Sequence, residues 1–452
     1  MREEFPSSWI AQIESQVCNT RYYTDARIIL EENLLLYLQN GILKRCIRGM
    51  DRGLGVRAIT PHGSVFSSIT HPYASEINQM FHHVARRSDT LPNTSRGSSL
   101  HVPTQVRDEF MNASPYSPRE ILEWLRERLP RFDNEINYTI VLKVTNKTQL
   151  FCNSEDAFLY YDVSRFFLHI GAVCKENHGS YTSSDVGGTG NLETLEKDQP
   201  LTEFIESVGR RASRLSRAHS PPLGSRKVLL DQKFSGLIAH EIGHLFEVDS
   251  NSNSNSLKCL NEITIPKIDI RDKEGPETNY GWTPVDDEGV KGGEVVLIKD
   301  GEIHQSLHTL QTAALTHEIP MGNGRAEGFD TLPQSRMRNT YLITNHDPWR
   351  QRDLWEESSG ELFVEGGEGG IRVDSDHFLF YPAAIYRIGE KGDKEDLFLP
   401  TRLEGSVREI LENIEAVGND IRFFSSLCHS RNQNIPVSSG GPLMKTRLRI
   451  GG

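Results

Sequence analysis

Apolar residues recur along this chain in two rhythms, steps of three and four that fit a helix and alternation that fits a strand. The switches between them mark the elements. Ser7 to Val17 has helical spacing on Trp9, Ile10, Ile13 and Val17. Leu34 to Gln39 and Ile42 to Ile47 flank Asn40-Gly41, the strongest short hairpin signal, and Gly53 to Ile59 with Ser64 to Ile69 read as a second strand pair. Ser75 to Val84 returns to helical spacing on Ile77, Met80, Phe81 and Val84, and Arg87 to Arg107 is polar enough for a loop. Ser117 as N-cap, Pro118 at the first position and Glu120 as reciprocal cap open a helix on Ile121, Leu122, Leu125 and Leu129. Strand-like segments follow at Ile136 to Val144, Gln149 to Cys152 and Arg165 to Cys174. The Gly- and Ser-rich stretch His178 to Asn191 contains Gly187-Gly188-Thr189-Gly190 without the lysine of a phosphate-binding loop, so it predicts a turn or a close backbone approach.

The helix Leu201 to Arg217 closes this half, and His219 to Ser225, HSPPLGS, has the composition of a linker. The expectation is therefore an α+β protein of two domains, a mixed α/β domain over 1–220 and a strand-rich domain over 226–452. In the second, Gly292 to Lys299 and Glu302 to Leu307 flank Asp300-Gly301 as a hairpin, and Thr340 to Thr344, Leu362 to Val364, Phe378 to Ile388 and Leu443 to Ile450 continue as strands. Val407 to Val417 reads as a helix. Ser250 to Ser256, SNSNSNS, is too polar and simple to pack, and reads as a mobile loop near a site or an inert surface excursion.

Composition narrows the classes. With 37% hydrophobic and 25% charged residues and no apolar run near eighteen, the 452-residue chain reads as soluble, without a membrane span. MREEFPSSWI lacks the basic and apolar regions of a secretion signal, so the expected location is cytoplasmic. Six scattered cysteines make no C-x-x-C pair and no disulfide framework. A net charge of −12 argues against a nucleic-acid partner, and Arg210, Arg211, Arg214 and Arg217 read as the solvated side of one helix.

The chemistry converges on Asp231 to Asp249, DQKFSGLIAHEIGHLFEVD. Phe234, Leu237, Ile238, Ile242, Leu245 and Phe246 keep helical steps, and Asp231 is placed as an N-cap after Val228-Leu229-Leu230. His240 and His244 are four residues apart, which on a regular helix puts them about 40° apart and about 6 Å along the axis, so both imidazoles can reach one zinc. Glu241, about 100° round from His240, stands off the metal and beside a water, the place of a general base. The bland alternative is a chance register on an amphipathic helix.

These residues and the stretch after them resemble the TldD/PmbA metallopeptidases. The likeness runs through His244-x-x-Glu247-x-Asp249, Val285-Asp286-Asp287-Glu288-Gly289, Leu297-Ile298-x-Asp300-Gly301 and Gly322-Asn323-Gly324-Arg325. It continues through Leu332-Pro333, Arg336-Met337-x-Asn339-Thr340-Tyr341, Glu415 to Asp420, and Cys428 followed by Ile435-Pro436-Val437. In the first half, Leu38-x-Asn40-Gly41 and Asp51 to Arg57 match more weakly. The resemblance implies a cytoplasmic two-domain peptidase with one zinc per catalytic chain. It also implies a dimer, with itself or with a silent TldE/PmbA-like sister, that cuts unstructured peptides such as leader segments. It places the family's cysteine ligand on Cys428, beside the ligands His240 and His244 and the base Glu241. The family spacing is usually H-E-x-x-x-H, one residue longer than here.

Two readings compete. A conventional zincin would take its third ligand from Glu262, after Asn261. A non-catalytic subunit would use the fold to clamp a peptide. By its neighbours Cys428 reads as a loop cysteine, for which a buried inert thiol is the ordinary assignment. Arg325 and Tyr341 are the positions considered for an oxyanion donor, and a peptide held by its backbone would bind by strand addition.

Overall fold

The computed structural model describes residues 5–90, 107–112, 116–132, 135–175, 179–248, 257, 260, 263–371 and 377–451. Its first half is built on one long hairpin, Tyr23–Gln39 paired with Ile42–Thr60. Asn40 (φ 48°) and Gly41 (φ 75°) turn it, both left-handed as a two-residue loop requires. A seven-stranded sheet grows from it in the order Gly63–Thr70, Ile42–Thr60, Tyr23–Gln39, Ile136–Asn153, Phe158–Cys174, Arg107–Asn112, with Ser180–Thr189 also on Phe158–Cys174. The expected segments 136–144 and 149–152 are thus one strand. Alternation assigns the faces. Even positions such as Ile28, Leu36, Ile140 and Leu168 are buried under the helices Ser7–Cys18, Ala74–Ser88, Pro118–Glu127 and Leu201–Leu215. Odd positions at one end, including Phe151, Leu159 and Tyr161, pack on Trp282 and Val285 of the second half.

Two expectations are corrected here. The Gly/Ser-rich stretch is a strand, Ser180–Thr189, because the open edge of Arg165 to Cys174 offers it a full antiparallel ladder. Its glycines still mark a close approach, since a Cβ on Gly188 would meet Thr194 Oγ1 at 2.4 Å. The helix at Val407 stops at Glu412, and Ala416–Val417 pairs instead with Lys445 and Met444 on the strand Met444–Ile450. Within the stretch read as a linker, His219 is bridged to Phe398.

The second half contains two further large sheets. One runs Glu302–Ile303, Val295–Lys299, Asp269–Lys273, Asn339–Ile343, Gln433–Gly441, Arg422–Ser430. In the other, Leu362–Ile371, Gly224–Leu230, Met444–Ile450, Leu403–Ser406 and His377–Ile388 close on themselves, the last pairing with the first. The helix Gln232–Gly243 leaves the closed ring and packs on strands of both sheets. Phe234, Ile238, Ile242 and Phe246 are all 0–1% exposed, in one core with Leu230, Ile270, Leu342 and Phe380. Burial of each such side chain contributes about 2 kcal/mol, enough to hold a helix that also buries His240 and Glu241. Among the described residues no helix is long and apolar enough to cross a membrane.

Candidate metal centre

Asp231 caps the motif helix as expected. One carboxylate oxygen accepts the Phe234 N–H at 2.7 Å, and the other accepts Gly366 N–H at 2.8 Å, tying the helix start to the strand Leu362–Ile371. Burial pushes this carboxyl up to about 6 against the pull of those two donors. At the other end the α-helix ends at Gly243, and His244 keeps helical geometry (φ −60°, ψ −27°) before one 3₁₀ turn, His244–Phe246. One regular turn therefore separates the imidazoles. Their ring centroids are 4.9 Å apart with planes at 81°.

Cys428 arrives from a distant part of the chain. It sits on the strand Arg422–Ser430, not in a loop, opposite Ile435. The turn of this hairpin is Arg431-Asn432, both left-handed at φ 50° and 60°, and without a glycine it carries no hairpin signal in the sequence. Cys428 Sγ lies 3.3 Å from His244 Nε2. The ligand atoms of His240, His244 and Cys428 all lie within 4.8 Å of one another. Glu241 is 8% exposed, and a Cβ on Gly370 would stand 3.5 Å from its carboxylate oxygen.

Around this cluster are two groups whose roles the sequence did not disclose. Glu247 Oε2 is 3.1 Å from His244 Nδ1, so the carboxylate fixes the ring from one nitrogen while the other, Nε2, faces the thiol. Arg336 donates to Cys428 Sγ at 3.1 Å and faces Glu247 Oε1 at 3.4 Å. The three-residue step from His244 to Glu247 was the only available signal for the first. Burial lowers the His244 ring's pKa, but the Glu247 carboxylate and then Cys428 outweigh it and raise it well above the usual value. Burial raises the Cys428 thiol's, but His240 and His244 outweigh it and draw it down to about 5. Arg325 and Tyr341 are engaged in the scaffold: Arg325 Nη1 donates to the Met337 and Pro436 carbonyls, and Tyr341 Oη to Glu294. Glu262, Asp249 and Ser250 to Ser256 lie outside the described residues.

The donor set fits a metal. Two imidazoles and an easily ionised thiol are nitrogen and sulfur ligands of the kind zinc takes in catalytic sites, three from protein with a fourth position open. His240 Nδ1 is buried with no hydrogen-bond partner among the described residues, an arrangement that is costly without a ligand or water.

Comparison with known proteins agrees. The PmbA/TldA metallopeptidase C-terminal domain matches residues 223–452, and the central domain of the same group matches 113–219. A metalloprotease of Methanocaldococcus jannaschii is 26% identical over 94% of this chain and 96% of its own. A zinc metalloprotease TldD homolog of Saccharolobus solfataricus is 27% identical over 66% of this chain and 68% of its own. Among solved structures, TldE from Thermococcus kodakarensis superposes with a TM-score of 0.71 over 99% of this chain and 100% of that one; at 14% identity it shows the fold alone. With half of its length matched by one domain pattern and the rest of the family likeness in order before it, this chain belongs to the PmbA/TldD metallopeptidase family.

Proposed function

We propose that the protein is a zinc-dependent peptidase that cleaves unstructured peptides, with His240, His244 and Cys428 as ligands of one zinc and Glu241 as general base. The observation that carries this reading is the convergence of two helical imidazoles with a thiol from a strand 184 residues away, on a helix that also carries Glu241. Bound zinc supplies a Lewis acid that polarises the peptide carbonyl and lowers the pKa of a water. Glu241 takes a proton from the attacking water and returns it to the leaving amine nitrogen. Gly370 brings bare backbone alongside Glu241, which favours a substrate held extended through its main chain by strand addition. Binding of that kind tolerates varied sequences and requires an unfolded segment, as in a leader or a labile peptide. The names of the relatives, metalloprotease and zinc metalloprotease, support the same chemistry.

The active assembly in this reading is a dimer, of two such chains or with a TldE-like sister. Cytoplasmic placement suits the five unpaired cysteines among the described residues. The decisive experiment compares zinc content after Cys428→Ser and Glu262→Gln. Cys428→Ser is expected to strip or greatly weaken zinc binding, with Glu262→Gln near wild type; the reverse pattern would replace this mechanism with that of a conventional zincin.

A further inference from the structure

The contacts that orient two of the proposed ligands run through one side chain. Arg336 is 1% exposed, and its guanidinium reaches in several directions at once. Nη2 donates to Cys428 Sγ at 3.1 Å and to the Cys428 carbonyl at 3.1 Å, while Nη1 donates to the Ser430 carbonyl at 2.9 Å. Nε stands 3.4 Å from Glu247 Oε1, and the second oxygen of Glu247 is 3.1 Å from His244 Nδ1. A ligand from the strand and a ligand from the helix are thus fixed to a single rigid fork.

We infer that Arg336 is the positioning residue of the metal centre: it holds the Cys428 sulfur directly and the His244 ring through Glu247, and its N–H tunes the sulfur as a donor to the metal. This rests on the zinc reading above. The planarity of the guanidinium is what the role needs. Its donors leave in fixed directions within one plane, so the sulfur and the two carbonyls are set relative to one another by hydrogen bonds, and the Glu247 carboxylate is held beside them as an ion pair. A lysine in its place keeps the charge beside Glu247 but is a point donor on a flexible stem, unable to serve all these partners together. An N–H donor on a thiolate also withdraws electron density from sulfur, so its removal raises the sulfur orbitals and makes the thiolate a stronger donor to a metal.

A neighbour provides the control. Arg338 is 0% exposed, and its side chain bonds Asp272 Oδ1 at 2.9 Å and the Gly293 carbonyl at 2.7 Å. It is as deeply buried as Arg336 and bonds neither a proposed ligand nor Glu247. The experiment measures zinc affinity by chelator competition, and the sulfur-to-metal charge-transfer band of the cobalt(II)-substituted protein, in Arg336→Lys and Arg338→Lys. Arg336→Lys is expected to weaken zinc about 10- to 100-fold, because the lost positioning of sulfur and ring outweighs the stronger donation of the freed sulfur, and to move the cobalt band to lower energy. Arg338→Lys is expected to leave affinity and band at wild type. Arg336→Met enlarges both effects if it folds, and Arg336→Lys carries the test if it does not. An Arg336→Lys protein that matches Arg338→Lys in affinity and band position overturns the inference. A wild-type protein that takes up neither zinc nor cobalt overturns the zinc reading itself, a different and separable outcome.

Discussion

Two buried polar clusters in this protein look alike by composition and differ in how their atoms are arranged. Where the first sheet meets the second half, Asp286, Asp287 and Glu288 form an acidic loop facing Asp25, Arg57 and Lys147. Every carboxylate of that loop accepts two or three donors: Asp286 from the N–H groups of Glu288, Val290 and Gly324, Asp287 from Ala326 N–H and Lys147, Glu288 from Arg57 and Leu310 N–H. At the motif helix, by contrast, atoms that can act as electron-pair donors converge on one another, and a buried imidazole nitrogen has no partner among the described residues. A closed set of donors and acceptors holds two halves together. A convergent set of lone pairs calls for a cation. The number of buried charges alone would not separate the two.

The comparison is sharpened first by Glu241→Gln. Glutamine preserves size and leaves the three ligand residues in place, so zinc content should stay at wild type while peptide turnover falls by about a thousandfold, within the range of a lost general base. Metal analysis beside a fluorogenic peptide assay checks this. Full turnover in a metal-replete Glu241→Gln protein would remove Glu241 from the mechanism.

The interface cluster should respond in the opposite way. Arg57 is 2% exposed and pairs with both Asp25 and Glu288, so Arg57→Met leaves two buried carboxylates short of a cation. The expected loss is about 3–5 kcal/mol of stability by denaturant unfolding, with zinc affinity of the folded fraction unchanged. A matching loss of metal affinity would mean that the two clusters are one unit and that the distinction drawn above fails.

How much of this was legible depended on whether the determining interaction was local. The Asn40-Gly41 hairpin, the Ser117 capping box and the Asp231 cap are set by residues a few positions apart, and all three form as read. His240, Glu241 and His244 were legible for the same reason, since helical geometry alone brings the two imidazoles together. The pairing of Ser180–Thr189 and the early end of the helix at Glu412 depend on partners far along the chain, and propensity misassigned both. Cys428 was named through family likeness while its strand was missed, because the Arg431-Asn432 turn has no glycine to announce it. Arg336 stood in a stretch of family likeness, but nothing in its neighbourhood shows that it will meet a cysteine 92 residues later.

The smallest effect concerns the contact that brings the helix to the cysteine hairpin. Gly236 lies against Gly440, where an added Cβ would meet the backbone N, C and Cα of Gly440 at 2.9–3.0 Å. Gly440 belongs to Gln433–Gly441, the strand paired with the one that carries Cys428. At Gly243, one residue before His244, the added Cβ would instead meet Met337 Sδ at 2.2 Å, an atom of a flexible side chain. Alanine gains about 1 kcal/mol over glycine inside a helix, and overpacking costs about 1–3 kcal/mol. At Gly243 a rotation of Met337 relieves the clash, and the two terms nearly cancel. At Gly236 the obstacle is backbone, so the strand must move and the Cys428 sulfur moves with it. Gly236→Ala is therefore expected to lose about 1–2 kcal/mol of stability and several-fold in zinc affinity, while Gly243→Ala stays close to wild type in stability. Equal zinc affinity in Gly236→Ala and wild type would show that the metal cluster is held by its own outer contacts, through Arg336 and Glu247, without help from the helix-to-strand packing.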